Sequence, residues 1–214
     1  MEVEILRINL LNLYFLFNLN LVTTNRNTFS EKLVEKYAQQ QALITFEEDQ
    51  SYGYKTRTDR NASADITLAF AMDFTTGGEI LTKNSVLGQN KIYIPIDINE
   101  MSNQTVHEFV KLNLCNVKTL NIAGNGLYTM KNKYTQLEID TLMLDFLKTV
   151  LPSDNQIELI RSGGQSGFDE AGIKAAIKLG IKALVLAPKG WMFRNIDGVD
   201  IRDENLFKNR FITI

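Results

Sequence analysis

One run constrains this chain more than any other: Ser162-Gly163-Gly164-Gln165-Ser166-Gly167-Phe168-Asp169-Glu170. A strand-like segment, residues 157–161, enters it, and a helix-like segment, residues 171–180, leaves it. A chain that passes from strand to helix through glycines gathers backbone N–H groups at the positive end of the helix dipole, where anions bind. The turn therefore reads as a cradle for a phosphate-bearing, nucleotide-like ligand.

The rest of the chain repeats this alternation. Strand-like runs fall at residues 43–46, 66–71, 92–97, 117–123 and 183–187, with helical spacing between them at residues 30–41, 80–86, 106–114 and 134–150. Ser30 reads as the cap of the first helix. Pro95 marks a strand end or an edge. Residues 47–61 are polar and read as one long loop that closes on a basic cluster, Arg57 to Asn61. A second glycine turn, Gly77-Gly78, follows the strand at 66–71, with Thr82 a turn later. Strands alternating with helices predict an α/β fold with a mainly parallel sheet and helices on both faces. Ligands in such sheets sit beyond the carboxyl ends of strands, and every candidate loop here follows a strand.

Composition narrows the class. The 214 residues suffice for one domain with an appendage, and a formal net charge of −2 disfavours a surface built for nucleic acid. Cys115 is the one cysteine, so no internal disulfide can form, and its apolar neighbours suggest a small packed side chain. Residues 1–28 read as an apolar extension and 29–214 as a single domain. Within the extension, the polar interruptions Arg7, Asn9 and Asn12 disfavour a membrane span, and the alternation at residues 17–21 suits a half-buried strand. Nothing marks secretion, which leaves a cytoplasmic protein as the expectation.

These residues resemble the putative molybdenum carrier family, a branch of the Rossmann-like fold shared with the LOG, DprA and SLOG proteins. That family's pattern runs strand, Ser-Gly-Gly-Gln-Thr-Gly-x-Asp, then a helix ending in Leu-Gly. Ser162 to Asp169 and Leu179-Gly180 match it, with serine at 166. Pro188-Lys189-Gly190 and Asp197-Gly198 stand where its next elements fall, alanine at 187 replacing a cysteine. The family's remaining motifs lie upstream here: Arg57-Thr58 with Asn61, Gly77-Gly78 with Thr82, Asp97, and Asn121 to Gly124. Asp65 sits one residue nearer Asn61 than the pattern sets it. The exchanged halves imply a circular permutant, broken in the ancestral order near residues 152–155. The resemblance spans residues 52–204 and implies binding of a nucleotide or a related phosphorylated ligand, with no metal ligands.

The expected ligand set is Ser162, Gly163, Gly164, Gln165, Ser166 and Gly167 on one turn and Gly77, Gly78 and Thr82 on the other. Arg57 and Asn61 come from the basic cluster, and Lys189 is either an anion contact or a solvated surface lysine. Asp169 and Glu170 stabilise the helix dipole, or else act on the ligand as carboxylates in a nucleotide hydrolase cleaving an N-glycosidic or phosphate bond. Trp191 and Phe193 suit stacking on a base, the core or a lid equally. His107, the one histidine, lies far from the glycine turns and suits a structural or exposed place. The partner expected is a small nucleotide-like molecule, bound by a carrier or sequestering module, with no nucleic acid and no membrane. The sequence names no cofactor, and it leaves turnover and homo-oligomerisation open.

Overall fold

The computed structural model describes residues 26–130, 132–151 and 156–212. The chain separates into two compact units, Met1–Ala38 and Gln39–Ile214. Of the expected extension, residues 1–25 lie outside the described residues, as does the expected break at 152–155.

Helix α1 (Arg26–Leu43) leads directly into β1 (Ile44–Glu48). There follow α2 (Lys55–Ala62), β2 (Ile66–Ala71), α3 (Gly77–Gly88) and β3 (Ile92–Asp97). Then come α4 (Gln104–Leu114), β4 (Thr119–Gly124), a short α5 (Leu127–Met130) and α6 (Gln136–Val150). The chain closes with β5 (Leu159–Ser162), α7 (Phe168–Lys178), β6 (Lys182–Ala187), a ribbon of β7 (Met192–Arg194) with β8 (Asp200–Arg202), and α8 (Glu204–Asn209). Six strands form one sheet in the order β1-β6-β5-β4-β2-β3, parallel at every pairing. The fold is thus the expected Rossmann-like α/β type.

Burial follows from that order. β2, paired on both sides, is buried at all six positions, which is why it reads as a near-continuous apolar run. Edge strand β3 is more exposed and accommodates Pro95, whose missing N–H costs least at an edge. Helix α7 is buried from Phe168 to Ile177, and Gly172 makes that approach feasible: a Cβ there would stand 2.5 Å from Ile122 Cγ2 of β4. Asn121, the strand neighbour of Ile122, projects to the opposite face, where α2 and α3 lie. Helices therefore cover both faces. A capping box of Thr135 and Glu138 starts α6.

Two expectations are corrected. The polar stretch taken as one loop contains a two-turn helix, α2, which lacks an apolar stripe because its buried residues are Arg57, Asn61 and one alanine, Ala62. Cys115 is exposed, not packed. It sits just past α4, about 100° around from Leu114, which ends the buried stripe His107–Val110–Leu114. His107 itself is buried, its Nε2 2.6 Å from Met101 O, in a structural role.

The connections locate a crevice. β2 leads outward to its neighbour β3, whereas β4, on the other side of β2, leads to β5. Neighbouring strands whose chains leave in opposite directions define the switch point where open α/β sheets hold ligands.

Candidate functional site

A cavity of about 410 Å³ opens at that switch point, beyond the carboxyl ends of β2, β4 and β5. Its volume is that of a small-ligand site. The β2 end contributes Thr76, Gly77, Gly78, Glu79 and Thr82. The β4 end contributes Asn121, Asn125 and Gly126, and the β5 end Gly163, Gln165, Ser166 and Asp169. Arg57, Thr58 and Asn61 close it from α2, while Tyr54, Tyr128 and Arg194 stand among its outer residues.

Asn125 knits two of these loops. Its Oδ1 accepts from the N–H groups of Met72 (2.9 Å) and Asp73 (3.1 Å). Its Nδ2 donates to Asp73 O (3.1 Å) and Glu79 Oε1 (3.3 Å). The start of α3 is open toward the cavity. Thr76 caps it, accepting from Glu79 N, and the first-turn amides of Gly77 and Gly78 have no intrahelical partner. Nothing lies within 4 Å of where a Cβ would stand on either glycine.

The start of α7 is different, because its own residues answer it. Asp169 Oδ2 accepts from Gln165 N at 3.3 Å, and Gln136 Oε1 accepts from Gly167 N at 2.7 Å. Arg57 and Asp169 flank Gly163. A Cβ there would lie 2.7 Å from Asp169 Oδ2 and 3.0 Å from Arg57 Nη1, while Arg57 donates to Gly163 O. Burial pulls the Arg57 pKa down against the opposing charges of Asp169, Tyr54 and Asp49. Burial pushes Asp169 up to about 6, against the charge of Arg57 and the N–H groups of Gln165 and Gly124. Glu79 rises further, to about 7, through burial and the nearby charge of Asp169, with Asn125 opposing. Its Oε2 is buried without a hydrogen-bond partner. Two carboxyl groups that change charge near neutrality thus share one cavity with a buried guanidinium.

Most of the residues singled out in the sequence converge here: Gly77, Gly78, Thr82, Arg57, Asn61, Gly163, Gln165, Ser166 and Asp169. Two of these spend their side chains elsewhere. Gln165 Nε2 donates to Met192 O and its Oε1 accepts from Arg194 N, while Ser166 Oγ donates to Arg194 O, so both pin the β7–β8 ribbon over the glycine loop.

Five others do not line the cavity. Gly164 backs onto Val185 and Phe207, each 2.6 Å from where its Cβ would be. Ser162 is fully buried at the end of β5, and Gly167 is wedged against Asn125 and Gln136. Lys189 sits over the ring of Tyr52, 3.8 Å from its centroid. Glu170, expected beside the ligand, accepts instead from Lys174 (2.6 Å) and Arg210 (2.6 Å). Lys174 also reaches Asp140 at 2.8 Å, and Arg210 donates to Gly164 O at 2.7 Å. Trp191 and Phe193 pack edge-on against Phe207 and belong to the core. The sequence reading missed Glu79, Asn125 and Tyr54. The available signals were an acid directly after a glycine pair, and a side chain held between two glycines at a strand end.

Among the described residues, no group of three or more His, Cys, Asp or Glu side chains is placed to hold a metal ion. Nor is any described helix long and apolar enough to cross a membrane.

Comparison with known proteins adds a family. Residues 30–142 match the model of the circularly permutated YpsA SLOG family. Among solved structures, the chain is similar to a putative molybdenum carrier protein from Syntrophus aciditrophicus, with 24% identity and a TM-score of 0.38. That similarity covers 50% of this chain and 65% of the other, so the chain spans less than two thirds of that protein's length. No curated protein matches the chain.

Proposed function

This chain belongs to the circularly permutated YpsA SLOG family, and from that premise we propose that the switch-point cavity binds a nucleotide or nucleotide-derived phosphorylated ligand. The permutation expected from the exchanged motifs is part of that family's description. The observation that carries the reading is the open start of α3. Gly77 and Gly78 offer unanswered N–H groups to a cavity that also holds the buried cation of Arg57. The phosphate belongs at this turn. At the other turn, Asp169 already occupies the place that an anion would take. The module acts as a carrier or sequestering protein for a cytoplasmic small molecule.

A second reading rests on Asp169 and Glu79. Their pKa values near 6 and 7 suit a general acid and a general base at a nucleotide's glycosidic or phosphate bond. Glu170 has no place in that chemistry, because its carboxylate is spent on Lys174 and Arg210. Chromatography of nucleoside monophosphates after long incubation separates the two readings, intact ligand favouring the carrier.

Gly78→Asp tests the site. A carboxylate in the first turn of α3 suits the helix dipole and its Cβ meets nothing within 4 Å, so the melting temperature without ligand should stay within about 3 °C of wild type. The stabilisation by inorganic phosphate and by nucleoside monophosphates, which follows from mass action, should vanish. Equal ligand shifts in both proteins, or no shift in the wild type, would sink the assignment. Gly164→Asp is no substitute: it would drive a side chain into Val185 and Phe207 and unfold the loop whatever the ligand.

A further inference from the structure

We propose that the outer part of this cavity is a subsite for a planar heteroaromatic ring, a nucleobase, held between Tyr54 and Tyr128. The inference rests on the reading of the cavity as a nucleotide site and narrows it, since a sugar phosphate or free phosphate would have no use for this subsite.

Tyr54 directly precedes α2 and Tyr128 belongs to α5 after β4, so separate elements bring the two rings to one cavity. Both are part-exposed, at 42% and 45%, and each is anchored by a neighbour. The Arg57 guanidinium lies 5.2 Å from the centroid of the Tyr54 ring, a cation–π contact that leaves the other face of the ring available. The turn at Gly198 supports Tyr128 so closely that a Cβ would stand 2.7 Å from Tyr128 Cε2. Arg194 completes the set. Both phenols lie close to it, and Asp200 holds it through bonds of 2.7 and 3.0 Å.

Two anchored, half-exposed aromatic rings and a fixed guanidinium make a stacking platform. Such a platform suits any base, because every base has a π-face and stacks on tyrosine or arginine. The aromatic residues that follow β6 in sequence, Trp191 and Phe193, are unavailable for this role because they are packed on Phe207. The arrangement also orders the ligand. Its phosphate lies at Gly77 and Gly78, its base lies between Tyr54 and Tyr128, and its sugar crosses the polar floor of Asn61, Glu79 and Asn121.

Calorimetric titration of the full chain with inorganic phosphate, ribose 5-phosphate and the four ribonucleoside monophosphates tests this. At least one monophosphate should bind about tenfold or more tightly than ribose 5-phosphate. That advantage over ribose 5-phosphate, compared within each variant, should persist in the double variant Tyr54→Phe/Tyr128→Phe and disappear in Tyr54→Leu/Tyr128→Leu. Ribose 5-phosphate binding as well as every monophosphate would overturn the base subsite while leaving the phosphate site standing. An advantage surviving in the leucine pair, or lost equally in the phenylalanine pair, would also overturn it. If neither phosphate nor any phosphate ester binds, the nucleotide reading itself falls and takes the subsite with it. The wild-type comparison decides the matter even where a variant fails to fold.

Discussion

Glu79→Gln should stabilise the protein at pH 8 by about 1–3 kcal/mol and leave its stability at pH 4.5 unchanged. The reason lies in where Glu79 sits. Its carboxyl is buried beside Asp169 with Oε2 unpartnered, and its folded-state pKa of about 7 lies above the ordinary value of 4.5. A raised carboxyl pKa means that the folded chain holds the proton more tightly than the unfolded chain. Wild-type stability therefore falls as pH rises from about 4.5 to about 7, and is flat above that with respect to this group. Glutamine keeps the acceptor for Asn125 Nδ2 and never charges, so this part of the slope should vanish. The slope due to Asp169, whose pKa of about 6 is likewise raised, should remain below pH 6. Urea unfolding at half-unit pH steps measures both. The same substitution should tighten inorganic phosphate binding at pH 8 by roughly tenfold, because a carboxylate facing the anion has gone. Parallel pH–stability curves for the two proteins would show that Glu79 does not titrate where burial puts it.

The alternation of strands and helices was legible because the strands carry apolar runs and helices α4 and α6 carry apolar stripes, Val110 and Leu114 in one and Ile139, Met143, Phe146, Leu147 and Val150 in the other. The parallel sheet and the crevice beyond its strand ends follow from that order alone. Helix α2 was not legible for a definite reason. Helices are recognised by an apolar face, and α2 buries Arg57 and Asn61 toward a cavity with Ala62 as its one buried apolar residue. Within the glycine turn, sequence proximity was a poor guide to direction. Successive residues at a helix start diverge by about 100°, so Asp169 reaches the cavity while Glu170 turns toward Lys174 and Arg210. Gly163 and Gly164 part in the same way, one facing Arg57 and the other Phe207. Glycine spacing also overstated the α7 cradle. Nothing in the pattern says that an aspartate two residues later folds back onto the loop's own amide.

Glu170→Gln should cost about 3 kcal/mol and lower the melting temperature by on the order of 10 °C. Glu170 is 4% exposed and holds two cations at once, Lys174 on its own helix and Arg210 at the end of α8. A neutral amide leaves Arg210 buried with the Gly164 carbonyl as its remaining hydrogen-bond acceptor among the described residues, and leaves Lys174 with Asp140 alone. Removing one member of a buried ion pair is expensive for this reason: the desolvation of the others is no longer offset. The network also has a mechanical role. Arg210 joins the C-terminal helix to the glycine loop through both Glu170 and Gly164 O, so weakening it should loosen the β5–α7 turn before the sheet itself. Hydrogen exchange should accordingly rise first at residues 163–167. In an Arg210→Met background the cost of Glu170→Gln should shrink, and the double-mutant cycle should return a coupling of about 1–3 kcal/mol. An unchanged melting temperature together with abolished nucleotide turnover would return Glu170 to the chemistry that its position in the sequence first suggested.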